Sequence, residues 1–221
     1  AYELSWLDGE GKPLVRTGIF TVPCDSPNMV ESKSFKLYLN SLNNHHFETT
    51  ERAVAAIEAD VGAVTGAAVS LELHAPDEPA MAGAPLRGES LDRLPLLSVA
   101  PAPDRSQLAV VDAEPVEEQL HTHLMRSLCP VTAQPDWASV WLHYRGAPID
   151  HRALLTYIVA YRSHQEFHEQ CVERIFMDLQ RQCEPEFLHV QAFFTRRGGM
   201  DICPLRSTAP APCSLPRTYR Q

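Results

Sequence analysis

Alternation of apolar and polar residues predicts several strands along the chain. Tyr2, Leu4 and Trp6 alternate with polar neighbours, which is the period of a strand with one buried face. Residues 116–128 fit either a strand or a helix by pattern alone. The other predicted strands cover residues 14–22, 69–73, 140–144 and 187–195, with a final short strand after a turn at Gly198-Gly199.

Helical spacing predicts four helices. Phe35, Tyr38, Leu39 and Leu42 recur at i, i+3, i+4 and i+7, which places them on one helical face. A second helix is predicted over residues 50–61. Asp150 is a good cap for a third helix. Ser163 and Glu166 form an S-x-x-E pair that predicts the start of a fourth helix, with Phe167, Cys171, Ile175 and Leu179 facing inward.

The order of these elements predicts an α+β fold made of two modules. Residues 76–103 are rich in proline and weakly periodic, which indicates a long loop between the two halves. With 116–128 taken as a strand, each half has the order ββααββ, an antiparallel sheet with two helices on one face. The predicted modules are residues 1–113 and 114–221.

Composition and charge narrow the classes of function. The 221 residues are 44% hydrophobic and 21% charged, with a net charge of −9. This acidity argues against direct binding of nucleic acid, and no apolar run approaches the ~20 residues of a membrane span. Six cysteines without a CxxC pair indicate neither a zinc ribbon nor a disulfide framework, so we expect free thiols in a reducing cytoplasm. The absence of an initial methionine suggests a processed or truncated N-terminus.

The segment SLCPVTAQPDW contains a candidate nucleophile. Cys129 needs a nearby base or positive field to react as a thiolate. Pro130 and Pro135 would hold the segment as a fixed loop that returns Asp136 towards the sulfur. Judged on the two residues alone, a buried thiol and a turn carboxylate are the favoured interpretation.

Two further segments suit a phosphorylated cofactor. In ESKSFKLY, free N–H groups at a helix start combine with Lys33 and Lys36, an arrangement that attracts anions. In TRRGG, Arg197 and Gly198 offer charge and close backbone approach to a phosphate. Taken singly, ESKSFKLY is better explained as a capped surface helix, and TRRGG as a polar hairpin tip. No GxGxxG motif is present, so a nicotinamide would bind outside a Rossmann fold.

The segment EFHEQCVER leaves three alternatives open. Glu169 could accept two hydrogen bonds from a guanine-like base, with His168 and Phe167 positioning or stacking on the ring. His164, His168 and Cys171, at i, i+4 and i+7, also match the spacing of metal ligands on one helical face. The third alternative is a surface helix with a salt bridge at Glu173 or Arg174.

In this order, these segments resemble the 7-cyano-7-deazaguanine reductases of queuosine biosynthesis over nearly the whole chain. The resemblance implies tandem tunnelling-fold (T-fold) units of ββααββ form. ESKSFKLY precedes the cysteine loop, as in the long, two-module branch of the family, which forms homodimers. That branch usually carries an additional N-terminal segment that does not precede Ala1 here.

The resemblance also implies roles for individual residues. Cys129 attacks the nitrile carbon to form a thioimide, and Asp136 deprotonates the thiol and protonates the nitrogen. The implied reaction consumes two NADPH per turnover and needs no metal. The alternative function is that of a zinc-dependent GTP cyclohydrolase-like hydrolase. A third class is a non-catalytic deazapurine-binding protein. The implied substrate-binding residues are Val30, Glu31, Ser32, His168 and Glu169, and the implied cofactor-binding residues are Ser32 and Lys33 from one module with Arg197 and Gly198 from the other.

Overall fold

The computed structural model describes residues 1–210 and 214–221, so Cys213 lies outside the described residues. Over these residues the chain forms four α-helices and two β-sheets, which confirms the α+β class. It divides into two compact units, residues 1–82 with 197–201, and residues 83–196 with 202–221. None of the helices in this part of the chain has both the length and the apolar character that crossing a bilayer requires.

The first unit has the element order ββααβ. Strands β1 (Tyr2–Leu7), β2 (Pro13–Thr21) and β3 (Ser70–His74) form an antiparallel sheet in that order. Tyr2, Leu4 and Trp6 are buried, as the alternation predicted. The fourth strand that ββααββ requires of this half is not part of this sheet.

Both helices of the first unit begin at capped N-termini. Helix α1 spans Ser32–Ser41, and Leu39 is its one buried residue. Helix α2 spans Thr50–Thr65, and the Thr49 hydroxyl accepts a hydrogen bond from the N–H of Arg52 at 3.3 Å. Helix α2 is longer than predicted, because the chain leaves the helix only at Gly66, whose φ of +72° is readily adopted by glycine.

The second unit reproduces the predicted ββααββ order. Residues 116–128 form strand β5 (Val116–Leu128), followed by β6 (Pro135–Gly146), α3 (His151–Val159), α4 (His168–Cys183), β7 (Phe187–Phe194) and β8 (Leu205–Ser207). These strands are antiparallel, and a two-residue strand β4 (Glu89–Ser90) adds to the β5 edge in parallel. The predicted long loop therefore contributes its short strand to the second sheet.

Helix α3 is buried on all sides from Ala153 onwards, whereas α4 buries one face in the core of the second unit. Asp150 caps α3 as predicted, accepting hydrogen bonds from the N–H groups of Arg152 and Ala153. In α4 the predicted residues Cys171, Ile175 and Leu179 are buried, together with Val172 and Cys183, whereas Phe167 lies just before the helix. Replacing a fully buried leucine such as Leu179 by alanine costs roughly 2–5 kcal/mol.

The predicted capping box at the start of the fourth helix is wrong. Ser163 ends a short 3-10 turn, and α4 begins only at His168, where Phe167 provides no side-chain cap. The reason is a tertiary contact: Leu128 donates its N–H to the carbonyl of His164 at 2.9 Å and accepts from the N–H of Glu166 at 3.2 Å. This pairing keeps residues 164–166 extended along the end of β5.

Candidate active site

Cys129 stands at the base of the tight connection between β5 and β6. Its N–H donates to the carbonyl of Gln134 at 2.9 Å, and its own carbonyl accepts from Ala133 at 2.8 Å. Ala133 has a φ of +56°, unusual for a residue other than glycine. Strand pairing on both sides of this loop, rather than the prolines alone, holds the cysteine in place.

The loop itself stabilises the thiolate of Cys129. Partial burial acts to raise the pKa of this thiol, but hydrogen bonds from the Thr132 hydroxyl and from the N–H groups of Thr132 and Val131 outweigh it. The pKa of Cys129 is therefore below its ordinary value, although the Asp136 carboxylate acts to raise it. Sequence reasoning missed Thr132; the available signal was a threonine three residues after the cysteine in a short loop.

Asp136 lies on β6 and makes close contact with His168. It pairs with Ser127 across the sheet, and its side chain is 2% exposed. Its Oδ2 atom is 3.2 Å from Nε2 of His168, the first residue of α4. The His168 ring stacks on Phe194, with centroids 3.8 Å apart and planes 12° from parallel. The structure thus brings His168 to Asp136, a contact that the sequence did not predict.

Glu169 follows His168 in the first turn of α4 and is half-buried. Among the described residues, its carboxylate takes part in no hydrogen bond or ion pair. Both oxygens are therefore available to accept hydrogen bonds from a bound molecule. This is the property that the proposed recognition of a guanine-like edge needs.

The three residues with metal-ligand spacing do not share a helical face. His164 precedes α4 and contacts Glu166 at 3.1 Å, whereas His168 contacts Asp136. Cys171 is fully buried, and burial raises its pKa to about 12. Within the described residues, no group of three or more His, Cys, Asp and Glu side chains is arranged to hold a metal ion.

The salt-bridge interpretation of the same helix is confirmed. Arg174 donates to Glu166 at 2.6 and 3.1 Å, and Glu173 pairs with Arg206. These ion pairs coexist with the His168 contact, since they lie on later turns of α4.

In the first unit, the start of α1 differs from the prediction. Glu31 caps the helix, accepting hydrogen bonds at 2.7 Å from the N–H groups of Lys33 and Ser34. Desolvation acts to raise the pKa of Glu31, but these hydrogen bonds outweigh it and lower the pKa. The N–H groups expected to be free for a phosphate are thus already taken by a carboxylate.

Residues 197–199 of the TRRGG segment lie beside α1 within the first unit. Nζ of Lys36 donates to the carbonyl of Arg197 at 3.4 Å. Gly198 has a φ of +56°, and a Cβ atom added there would lie 3.1 Å from Nζ of Lys36. Arg197 and Gly198 therefore belong to the same compact unit as Ser32 and Lys33, although they come from the C-terminal half of the sequence.

The predicted substrate residues are divided between the two units. Val30, which is partly buried, belongs with Glu31 and Ser32 to the first unit, and Cys129, Asp136, His168 and Glu169 belong to the second. Two surface clefts of the second unit, about 370 and 500 Å³ in volume, are lined by other residues.

Comparison with known protein families matches most of the chain. A family model described as "Nitrile reductase, 7-cyano-7-deazaguanine-reductase N-term" matches residues 1–73, and one described as "QueF-like protein" matches residues 135–212. The chain is similar to NADPH-dependent 7-cyano-7-deazaguanine reductases of Paraburkholderia phymatum (52% identity, covering 100% of this chain and 82% of the relative) and Dechloromonas aromatica (51%, covering 94% and 74%).

A relative from Xanthomonas campestris with the same name is 50% identical, with 100% of this chain and 81% of the relative covered. Among solved structures, the chain is similar to the archaeosine synthase QueF-Like in the apo form. The identity is 17% and the TM-score 0.39, over 46% of this chain and 100% of that one.

Proposed function

The chain belongs to the family of NADPH-dependent 7-cyano-7-deazaguanine reductases, and we propose that it reduces the nitrile of 7-cyano-7-deazaguanine to an aminomethyl group. Relatives of this name are about half identical to it over its whole length. We also propose a tandem T-fold with modules 1–113 and 114–221, and a cytoplasmic homodimer, as the resemblance in the sequence implies.

One observation in the structure carries the mechanism. It is the thiol of Cys129, whose pKa is lowered by its own loop, next to an Asp136 carboxylate that is paired with His168. A nitrile accepts a hydride poorly. Addition of the Cys129 sulfur to the nitrile carbon forms a C–S bond and leaves a C=N group, which accepts a hydride more readily.

The Asp136–His168 pair supplies the proton that this addition requires. As the sulfur attacks, negative charge develops on the nitrile nitrogen, and a proton held by the pair is transferred to it. The Asp136 carboxylate acts to raise the pKa of Cys129, and the His168 ring lies 3.2 Å from that carboxylate. His168 therefore positions the acid that acts on the thiol.

The substrate is recognised by a residue at the start of α4. The unengaged carboxylate of Glu169 accepts hydrogen bonds from the N–H groups of the deazaguanine edge. A base without those donors would leave this half-buried carboxylate unsatisfied, which disfavours its binding. Val30, Glu31 and Ser32 are proposed as further contacts. Glu31 would contribute through the remaining lone pairs of oxygens that already cap α1.

The first unit offers residues that fit a phosphorylated nicotinamide cofactor. NADPH, when bound, supplies the hydride for each of the two reduction steps. Lys36 lies against the Gly198 backbone, which has no Cβ to clash with it, and Lys33 and Arg197 add positive charge within the same unit. Ser32 adds a hydroxyl at the start of α1. Because Glu31 occupies the helix N–H groups, side-chain cations rather than the helix end bind the phosphates.

The direct test is loss of NADPH absorbance with 7-cyano-7-deazaguanine as the sole oxidant. We expect two NADPH oxidised per molecule of product. The wild-type protein should gain mass covalently when it is incubated with the nitrile. Cys129→Ala should show no such mass increase and no NADPH oxidation, but it should still bind the ligand. Cys24→Ala, which removes an exposed thiol, is the matched control and should be fully active. Full activity of Cys129→Ala would contradict the proposal, as would stoichiometric zinc together with GTP turnover.

A second variant tests the proton donor. Asp136→Asn keeps the size of the side chain but removes the acid, so we expect kcat to fall by about 10²–10⁴-fold. Asp112→Asn changes an exposed aspartate and serves as the control. If the Asp136→Asn enzyme were as active as the wild type, the role assigned to Asp136 would be wrong.

A further inference from the structure

Arg220 and Gln221 bind three neighbouring strands of the second unit. The Arg220 guanidinium donates to the carbonyls of His123 at 2.7 Å and Ala138 at 3.1 Å. The Gln221 side-chain amide donates to the carbonyl of Phe194 at 3.1 Å. Two consecutive residues therefore make contact with β5, β6 and β7.

Arg220 binds at an irregularity in the sheet. Strand β5 shifts register between Thr122 and Met125, where the pairing changes from Val140 to Ala138 on β6. A bulge of this kind leaves backbone groups outside the ladder and turns the strand. The carbonyl of His123 lies in this bulge and receives a hydrogen bond from Arg220. The four residues after the bulge lead directly to Cys129, so the bulge sets the direction from which the nucleophile loop emerges.

Gln221 binds where β7 supports the Asp136–His168 pair. Phe194 is the last β7 residue that pairs with β6, opposite Ala138. Its ring stacks on His168, whose Nε2 is 3.2 Å from Asp136. A displacement of the Phe194 backbone would therefore be passed to the imidazole, and from there to the carboxylate.

The orientation of the Gln221 amide is determined by its surroundings. Its oxygen accepts from the N–H of Thr218 at 3.1 Å, so its nitrogen faces the Phe194 carbonyl and also Sγ of Cys203 at 3.0 Å. The segment is anchored further by Arg217, whose carbonyl accepts from the N–H of Ala84 at 2.8 Å. The contact to Phe194 is thus held from several sides.

We propose that Arg220 and Gln221 are positioning residues for the reduction, holding the bulge of β5 and the end of β7 so that Cys129 and the Asp136–His168 pair keep their mutual geometry. The inference rests on the proposed function. Neither residue touches the reacting atoms. Their effect is on the chemical step, because displacements of about 1 Å at reacting groups can cost up to 10²-fold in rate.

The test compares four variants with a neighbouring control in the full chain. Gln221→Ala removes all three contacts of the side-chain amide, and Gln221→Glu replaces the donor by a carboxylate that cannot donate to Phe194. Arg220→Ala removes both guanidinium contacts, and Arg220→Lys keeps the charge but can serve the two carbonyls less well. Tyr219→Ala is the control, because this side chain is 77% exposed. Thermal unfolding of every variant shows whether it is folded at the assay temperature.

We expect both Gln221 variants and Arg220→Ala to lower kcat by about 10- to 100-fold, with KM for nitrile and NADPH within about twofold of wild type. Arg220→Lys should restore part of the rate. Tyr219→Ala should leave all these quantities unchanged.

Two results would overturn the inference. One is a kcat within about twofold of wild type in both Gln221 variants, since the measured loss is expected to be at least tenfold. The other is a fall in kcat accompanied by an equally large change in KM for the nitrile and NADPH, which marks a merely structural role. Failure of the proposed function is distinguishable, because the wild-type enzyme would then oxidise no NADPH.

Discussion

Thr132→Val removes the hydroxyl that lowers the pKa of Cys129. The same hydroxyl accepts a longer hydrogen bond from the N–H of Gln134 at 3.4 Å. Valine has nearly the same shape as threonine but lacks the hydroxyl that donates to the sulfur, while the N–H groups of residues 131 and 132 remain as donors. The substitution lies in the loop between β5 and β6 and changes no residue of the core. Thr132→Ser keeps the hydroxyl and is the matched control.

The expected magnitude follows from the geometry of the loop. A hydrogen bond to a charged group contributes about 1.5–3 kcal/mol. Cys129 is partly exposed and keeps two backbone donors, so the lower end applies. Since 1.36 kcal/mol corresponds to one pKa unit, we expect the pKa of Cys129 to rise by about one pH unit in Thr132→Val.

The reaction rate at a single pH understates this change. Below the pKa, the thiolate fraction falls about tenfold when the pKa rises by one unit. Each thiolate is then about threefold more nucleophilic, because nucleophilicity increases with basicity with a Brønsted slope of roughly 0.4–0.5. The net loss is only about threefold. The pH midpoint is therefore the informative quantity.

The assay is alkylation by iodoacetamide as a function of pH, with the modified Cys129 peptide quantified by mass spectrometry. The exposed thiol of Cys24 provides an internal reference in the same sample. We expect the Cys129 midpoint to move to higher pH in Thr132→Val and to stay close to wild type in Thr132→Ser. An unchanged midpoint in the valine variant, or an equal movement in both variants, would refute the assignment.

Two further predictions concern the first unit. Gly198→Ala places a Cβ 3.1 Å from Nζ of Lys36 at a φ of +56°. We expect KM for NADPH to rise and the free energy of unfolding to fall by about 1–2 kcal/mol. An unchanged KM would argue against a cofactor role of Gly198. Glu31→Gln removes a negative charge from the start of α1 and should lower the free energy of unfolding by about 0.5 kcal/mol at pH 7. Because the folded-state pKa of Glu31 is lowered, this contribution is present above the unfolded pKa and is lost as pH falls through the folded value. In urea titrations, the two proteins should therefore differ more at pH 7 than at pH 3.

The elements of the fold were largely predictable, because their signals are local. Alternation identified β1, β6 and β7, and Asp150 marked the start of α3. The start of α4 was not predictable from Ser163 and Glu166, because the pairing of Leu128 with residues 164 and 166 overrides a local capping signal. The position of the short strand β4 was not predictable for a similar reason. Two residues are too few to show an alternating pattern, so the sheet that β4 joins depends on the strand with which it pairs.

The residue types and spacings of the chain determined the candidate chemistry, since a thiol, an acid and a carboxylate for a purine edge can be recognised in short segments. Only the tertiary structure decided which groups act on one another. It placed Thr132 on the thiol of Cys129, His168 between Asp136 and Phe194, and Arg197 beside Lys36. Such contacts depend on strand register and on where a helix begins relative to a distant strand. These are long-range properties, and no periodicity along the chain encodes them.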